Sequence, residues 1–451
     1  MKRERILIVG GGASGVILAA HLLRDANPRL DVTIVERRPA IGAGVAYGTD
    51  EPDHLLNTRA ASMSAFPDDP DHFFRWLGTS RHAESLDCAD PFCFVPRRVY
   101  RDYLNAVAAP FAGPEGDGRL HVVAGECVAL REHPGGIAVE LGDGRTEIAG
   151  TVVLATGHTV PSFRAGTHRS GPWCSPAELG IGPAESVVIV GTGLSMIDNV
   201  VQLRRAGHRG TITAVSRRGL LPHVHAPSTP LRLDPADIPF GTGVSFLLRW
   251  LRETARWAEG RGGDWRDLVD ALRPHAQTLW QSMAPDARRR FLRHARTFWE
   301  VHRHRMAPEA EKAVREAIAD GQLRILAGRV LDIGEADGHG VVRLRRRDGE
   351  KQELVADHVI DCTGILRDPA SGDTPLVGRL LQQGSARLDP LGLGLDVDRD
   401  CAVIHADGTP SRRLFALGPV TRAQFWEITA IPDIRVQSAG LARRLAERAT
   451  A

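Results

Sequence analysis

The chain has 451 residues, with 57 basic and 55 acidic side chains, a formal net charge of +2 and 43% hydrophobic residues. That length suggests two or three domains, each large enough for its own core, and so small a charge gives no electrostatic case for nucleic acid. Six cysteines, at 88, 93, 127, 174, 362 and 401, contain no CxxC pair; the expectation is a reducing compartment, no disulfide framework, no structural zinc and no other metal.

The first predicted element is a buried parallel strand, because residues 6–9 (Ile-Leu-Ile-Val) are uninterruptedly apolar. Gly10-Gly11-Gly12-Ala13-Ser14-Gly15 follows and meets the GxGxxG spacing at Gly10, Gly12 and Gly15. In that pattern the first glycine permits a tight turn, the second lets the backbone approach a pyrophosphate, and the third lets helix and strand pack closely. The pyrophosphate meets free N–H groups at the positive end of a helix, here predicted over 16–24, with Ser14 at its mouth. A second strand at 32–35 ends in Glu36, 21 residues after Gly15, where a carboxylate binds a ribose hydroxyl pair. Arg37 follows it directly. Residues 6–23 form an 18-residue run without formal charge after a basic start. The glycine fingerprint at its centre explains the run better than a membrane span or a signal segment, so the expectation is a soluble, cytoplasmic protein with no membrane partner. The unit closes with Val153-Leu154-Ala155-Thr156-Gly157.

A second unit opens with an apolar run at 187–190 and Gly191-Thr192-Gly193, with Leu194 and Ser195 starting its helix. Its third glycine position is Met196, so the helix must pack differently. Glu36 lies 26 residues after Gly10, and the residue 26 after Gly191 is Arg217, in Ser216-Arg217-Arg218. A guanidinium there pairs bidentately with a 2′-phosphate and favours NADPH over NADH; a solvated surface pair is the competing reading, since only three of the 57 basic residues are lysines. The segment 118–125 aligns with 321–328, and each repeat arrives at a Thr-Gly pair, 156–157 and 363–364. Between them, 240–319 has apolar positions at three- and four-residue intervals and reads as a helical insertion. It carries Arg288-Arg289-Arg290, His294 and His302-Arg303-His304-Arg305, either a solvated basic face or a wall that binds an anionic substrate or the NADPH phosphates. His302 and His304 are two apart on a helix and point to different sides, so they do not share a metal.

The C-terminal segment offers a short strand at 414–418 ending in Gly418-Pro419, then Trp426 and Glu427, then a helix from Pro432 to about Arg448. A helix N-terminus aimed at a flavin would stabilise negative charge on the reduced ring. The fold class expected is α/β: two Rossmann-like dinucleotide-binding domains, the second inserted in the first. Their bounds are 1–165 and 365–451 for FAD, and 166–364 for NADPH with the insertion at 240–319.

The chain resembles the YdhS-like FAD/NAD(P)-binding oxidoreductases. The resemblance rests on the Gly10–Gly15 fingerprint, His54-Leu55-Leu56-Asn57, Phe66-Pro67, the segment from Phe94 through Arg97 and Arg98 to Tyr103, the segment from Gly191 to Asp198, Ser216-Arg217-Arg218, Val301-His302, and the segment from Trp426 and Glu427 through Thr429 to Arg435. More distantly its layout is similar to flavin-containing monooxygenases and N-hydroxylases, in which an asparagine near the flavin precedes a Phe-Pro element, as Asn57 precedes Phe66-Pro67. Their FxGxxxH signature is only loosely echoed in Phe163-Arg164-Ala165-Gly166-Thr167-His168. The resemblance implies FAD and NADPH as cofactors and a small-molecule substrate. It adds Arg97 and Thr429 to the cofactor-binding residues and places Asn57 beside the flavin as a catalytic residue, with a loop-holding role as the competing reading. Glu427, ahead of the C-terminal helix, is the second catalytic candidate, a carboxylate for contact with flavin or substrate, with a structural salt bridge as the competing reading. The reaction expected is monooxygenation at nitrogen or carbon of a small metabolite. An oxygen-independent flavin reductase or dehydrogenase is the alternative and a flavin-bearing redox sensor a weaker one; the absence of CxxC argues against a disulfide reductase. Nothing in the sequence sets the oligomeric state.

Overall fold

The apolar runs at 6–9 and 187–190 each become a central strand of a parallel sheet. The computed structural model describes residues 4–24, 30–86, 88, 90–157, 163, 167–364 and 375–450. Contacts divide the chain into two units: Met1–Pro52, Thr58–Val160 and Ile365–Ala451 form the first, Asp53–Asn57 and Pro161–Gly364 the second.

In the first unit six strands lie in the order Ala402–Ile404, Pro410–Ala416, Thr151–Leu154, Glu4–Val9, Leu30–Glu36, Leu120–Ala124. Ile6 is in register with Val32 on one side and Thr151 on the other, and all neighbours are parallel except the antiparallel Ala402–Ile404 pair. Alternate side chains serve opposite faces. Leu7, Val9, Val35, Val152 and Leu154 pack with Leu130, Ile137 and Val139 of an antiparallel three-stranded sheet and with Leu376 and Leu380 of the helix Pro375–Gln382. The intervening Ile6, Ile8, Ile34 and Val153 are equally buried. A sheet buried on both faces cannot alternate polar with apolar, which is why these strands read as unbroken apolar runs. The helix Ala13–Arg24 packs against Arg97–Ala108 and Ile431–Thr450.

The second unit repeats the plan. Its seven strands run Lys351–Ala356, His339–Arg346, Leu323–Ala336, Ile212–Ser216, Val187–Val190, His358–Asp361, Arg169–Ser170. Val187 and Ile189 pack with Met196, Val200 and Leu203 of the helix Leu194–Arg205, while Val188 and Val190 pack with Val342, Leu344 and Val359. The two repeat segments occupy matching places as third parallel strands: Val32 registers with Leu120, and Ile212 with Leu323. In the first unit the strand stops at Ala124 and a separate sheet begins at Cys127; in the second it continues through Gly328 to Ala336.

The helical insertion differs in extent from the expected 240–319, reaching back to Leu231 and ending with the helix Arg296–Arg303. Its own core joins Ile238, Leu247, Leu268, Leu272, Leu279 and Met283, with Leu231, Leu233 and Trp299 packed against it. The last helix, Pro308–Ala319, instead places Val314 and Ala317 on the Val187–Val190 sheet, so it is the crossover between parallel strands rather than part of the insertion. Among the described residues no helix is long and apolar enough to cross a membrane.

Candidate dinucleotide-binding sites

In the first unit Gly10 has φ +108°, and a Cβ there would overlap the carbonyl oxygen of Ala155. Its N–H donates to Val35 O at 2.9 Å, which joins the turn to the neighbouring strand. Gly12 faces a second glycine segment, Gly42-Ala43-Gly44: an added Cβ would lie 3.3 Å from Gly44 Cα, and Gly42 N donates to Gly11 O at 2.7 Å. A Cβ on Gly15 would collide with Gly10 O. The three glycines thus keep a backbone-lined cradle open at the start of Ala13–Arg24, whose first-turn N–H groups have no intrahelical acceptor. Glu36 is buried at the end of its strand; Oε2 accepts Gly11 N at 2.7 Å and Oε1 accepts Arg38 N at 2.8 Å. Each oxygen keeps a lone pair for a ribose hydroxyl. An open cradle of donors beside a fixed carboxylate fits the adenosine diphosphate half of FAD.

Ser14 is buried and meets Gly418, where φ is +74° and a Cβ would stand 2.5 Å from Ser14 Oγ. Gly418 N donates to the buried Gln437 Oε1 at 2.9 Å, and Gln437 Nε2 donates to Thr421 Oγ1 at 3.1 Å. Sequence reading missed Gln437 and Gly44; the Gly42–Gly44 pair was a visible signal, whereas a glutamine inside a helix was none. Thr156-Gly157 follows the strand Thr151–Leu154, and Gly157 has φ +70°. Arg97 opens the helix Arg97–Ala108 beside Tyr47; burial drives that phenol's pKa upward and the Arg97 charge opposes the shift. Arg37 is exposed and pairs with Glu126 at 3.3 Å. Glu427 is buried with φ +66°, and its carbonyl accepts Thr429 N at 2.6 Å ahead of the helix Ile431–Thr450. Asn57 is exposed and belongs to the segment grouped with the second unit, where its carbonyl lies 3.1 Å from His225 Nε2.

In the second unit Gly191 has φ +123°, and a Cβ would come within 2.5 Å of Cys362 O. Gly193 caps the helix Leu194–Arg205 with open space around its Cβ position. Leu194 and Ser195 are half-buried in the first turn. Met196 is fully buried among Val187, Ile189 and Ile212, so the missing third glycine is replaced by a core side chain. Thr363 N and Oγ1 donate to Asp361 Oδ1 at 3.0 and 2.6 Å, and Arg169 pairs with Asp361 at 2.5 Å. Gly364 follows with φ +110°. The arginine pair separates: Arg218 donates to His294 O at 2.9 Å and lies 4.3 Å from the Phe298 ring centre, whereas Arg217 is exposed. An open glycine turn at a helix N-terminus with an exposed guanidinium at the next strand's end fits NADPH.

The basic cluster of the insertion is not uniformly solvated. Arg305 is buried and makes two bonds to Asp270, at 2.8 and 3.1 Å, and Arg288 donates to Trp280 O and Gln281 O. The His302 ring lies tilted against His223 and edge-on to Trp265, with ring centres 4.5 and 4.7 Å apart. Burial lowers the His223 pKa, with His302 and Arg266 adding to it. Among the described residues no group of three His, Cys, Asp or Glu could hold a metal. The cysteines depart from expectation: Cys88 and Cys93 form a disulfide with Cα atoms 5.3 Å apart, while Cys127, Cys174, Cys362 and Cys401 are free. CxxC is not the only spacing that brings two thiols within bonding reach; a loop that folds back across five positions does so too.

Residues 7–159 match the FAD-NAD(P)-binding family model. No curated protein sequence matches the chain. Several solved structures share its fold. An ornithine N-hydroxylase from Kutzneria sp. 744, with reduced FAD, NADP+ and L-ornithine, covers 100% of both chains at 17% identity and a TM-score of 0.67. The FAD-bound cadaverine monooxygenase of desferrioxamine biosynthesis from Erwinia amylovora covers 99% of this chain and 95% of its own, at 13% identity and a TM-score of 0.65. A bacillithiol disulfide reductase from Bacillus cereus covers 99% and 100%, at 15% identity and a TM-score of 0.55. The chain therefore combines an FAD/NAD(P)-binding domain with the fold of flavin-dependent oxidoreductases.

Proposed function

We propose that the chain is an FAD- and NADPH-dependent monooxygenase that hydroxylates nitrogen or carbon of a small metabolite, and that it is a cytoplasmic member of the YdhS-like oxidoreductases. What supports this reading is a pair of glycine turns, Gly10–Gly15 and Gly191–Gly193, each opening onto a helix, in one polypeptide whose fold follows N-hydroxylases over its whole length. In this reading FAD lies on Gly10, Gly12, Gly15 and Glu36. NADPH lies on Gly191 and Gly193 with its 2′-phosphate on Arg217. Bound FAD supplies the acceptor for a hydride from NADPH and the place where oxygen is activated. The protein's own contribution is orientation, exclusion of water and proton handling. Glu427 is the buried carboxylate closest in sequence to the C-terminal helix and is assigned to hold or pass a proton there; its positive φ marks a backbone kept in a costly conformation. The resemblance alone assigns Asn57 as an amide donor in the reaction.

Amine- and amino-acid-dependent chemistry tests the proposal. The FAD-loaded protein is given NADPH in air with a panel of diamines and amino acids, and hydroxylated product is followed by mass spectrometry with NADPH and oxygen uptake. The expected result is product formed in step with oxygen and NADPH for some amine. The match to a disulfide reductase favours a second reading, an oxygen-independent flavin reductase. NADPH oxidation that continues without oxygen, when a suitable acceptor is present, and yields no hydroxylated product under air would select that reading instead.

A further inference from the structure

The disulfide holds a particular turn. Cys93 O accepts the N–H of Ala60 at 3.0 Å and Pro91 O accepts the N–H of Ala61 at 2.7 Å. These two consecutive amides open the turn Ala60–Ser62. The Arg59 guanidinium lies 5.1 Å from the Phe92 ring centre, and Phe92 is 55% exposed. Within the loop, Asp90 Oδ1 accepts Phe92 N at 2.8 Å, and Asp90 O accepts Cys93 N at 3.0 Å. The span from Cys88 to Cys93, closed by one covalent bond, therefore presents two carbonyls at the spacing that two neighbouring amides require. The turn leads into Ser64, Ala65 and Phe66, where Ala65 N donates to Tyr103 Oη at 3.0 Å. All of these contacts belong to the first unit.

The pair also differs from the other cysteines. Cys127 and Cys401 are buried thiols whose pKa values burial pushes up to about 12, and burial raises Cys362 well above the ordinary thiol value and raises Cys174 too. A thiolate is the nucleophile in exchange, so those four are poor partners. Cys88 and Cys93 are both partly exposed.

We propose that Cys88 and Cys93 form a thiol–disulfide exchange site for small thiols of the glutathione class, and that its redox state sets whether the turn Ala60–Ser62 is clamped. The exchange balances as one protein disulfide plus two small thiols giving one protein dithiol plus one small disulfide, with both protons moving from the small thiols to Cys88 and Cys93. The attacking thiolate first forms a mixed disulfide with one cysteine, and a second thiolate releases it. Opening the bond frees the loop between Cys88 and Cys93 from a closed ring, and the two carbonyls lose their fixed spacing. The turn then opens about tenfold more often, the effect expected for two weakened backbone hydrogen bonds.

The proposal is tested on the full chain equilibrated over a series of reduced-to-oxidised glutathione ratios, quenched in acid and labelled with a maleimide before mass analysis. The expected result is two labels gained together, both on the peptides that carry Cys88 and Cys93, and none gained in Cys88→Ser/Cys93→Ser. Native-state limited proteolysis at segments 58–66 and 80–96 should be about tenfold faster for the reduced wild type than for the oxidised, with no redox dependence in the double variant. A label count that does not change with the glutathione ratio would overturn the exchange site. A count that changes without any change in cleavage would overturn the clamp. Neither measurement depends on catalytic turnover, so the monooxygenase proposal can fail while this one stands, and the reverse.

Discussion

Gly193 and Gly15 occupy equivalent-looking motifs but carry opposite constraints. A Cβ on Gly15 collides with Gly10 O, whereas one on Gly193 meets nothing within 4 Å. Gly15→Ala is therefore expected to cost stability, about 1–3 kcal/mol as overpacking does, seen as a lower Tm. Gly193→Ala should leave Tm unchanged and raise the KM for NADPH roughly tenfold, because only the ligand loses room. Unchanged KM values for that variant would remove Gly193 from the nucleotide site. Arg217 and Arg218 divide in the same manner. Arg217→Ala should cut the preference for NADPH over NADH by roughly tenfold to a hundredfold in kcat/KM, the worth of a charge-assisted contact. Arg218→Ala, which loses the bond to His294 O and the Phe298 contact, should lower Tm and leave that preference intact. Steady-state kinetics with both nucleotides separates the two outcomes.

At the scale of elements, the parallel strands were legible because strands buried on both faces leave unbroken apolar runs, and the turns because glycine readily takes the positive φ found at Gly10 and Gly191. The repeat at 118–125 and 321–328 was legible as a repeat, but not the fact that one copy breaks before Cys127 and the other runs on to Ala336; pairing partners decide that, and they lie far away in sequence. The helix Pro308–Ala319 was read as part of the insertion because its apolar spacing is the same whichever sheet it covers. The role of Arg305 was also hidden, since a buried and an exposed arginine look alike until Asp270 is brought beside it. That pairing makes a sharp expectation: Asp270→Ala leaves a buried, unpaired guanidinium and should cost about 3–5 kcal/mol in chemical denaturation, while a loss under 1 kcal/mol would mean that Arg305 finds water. His72 adds a pH dependence. Burial holds its pKa below the ordinary 6.5, against the pull of Asp69, and its Nδ1 lies 2.8 Å from Tyr103 Oη. A lowered imidazole pKa means that the unfolded chain binds the proton more tightly. This contribution to stability is complete above pH 6.5 and is lost as pH falls from there through the folded value. The drop in Tm from about pH 7.5 to about 5.5 should be smaller in His72→Gln, which stays neutral. An equal drop in both proteins would remove His72 from the account.

For the whole molecule, the two units reuse one scheme: a glycine turn, a helix N-terminus, a second strand with Glu36 at its end in one unit and Arg217 just past its end in the other, and a closing strand followed by a Thr-Gly pair. In the proposed reading Glu36 in one and Arg217 in the other make them complementary, a carboxylate for a hydroxyl pair and a guanidinium for a phosphate. The glycine cradle also gives a direct binding expectation: Gly12→Val, facing Gly44 at close range, should yield protein without bound flavin, read as the flavin-to-protein absorbance ratio after purification. The central claim, that one chain joins an FAD site to an NADPH site, is tested most directly by mixing the FAD-loaded protein with NADPH in the absence of oxygen and following the flavin absorbance. The account expects one equivalent of NADPH to bleach one equivalent of flavin, faster than NADH does at the same concentration. Protein that binds no flavin, or bound flavin that neither nucleotide reduces, would contradict it.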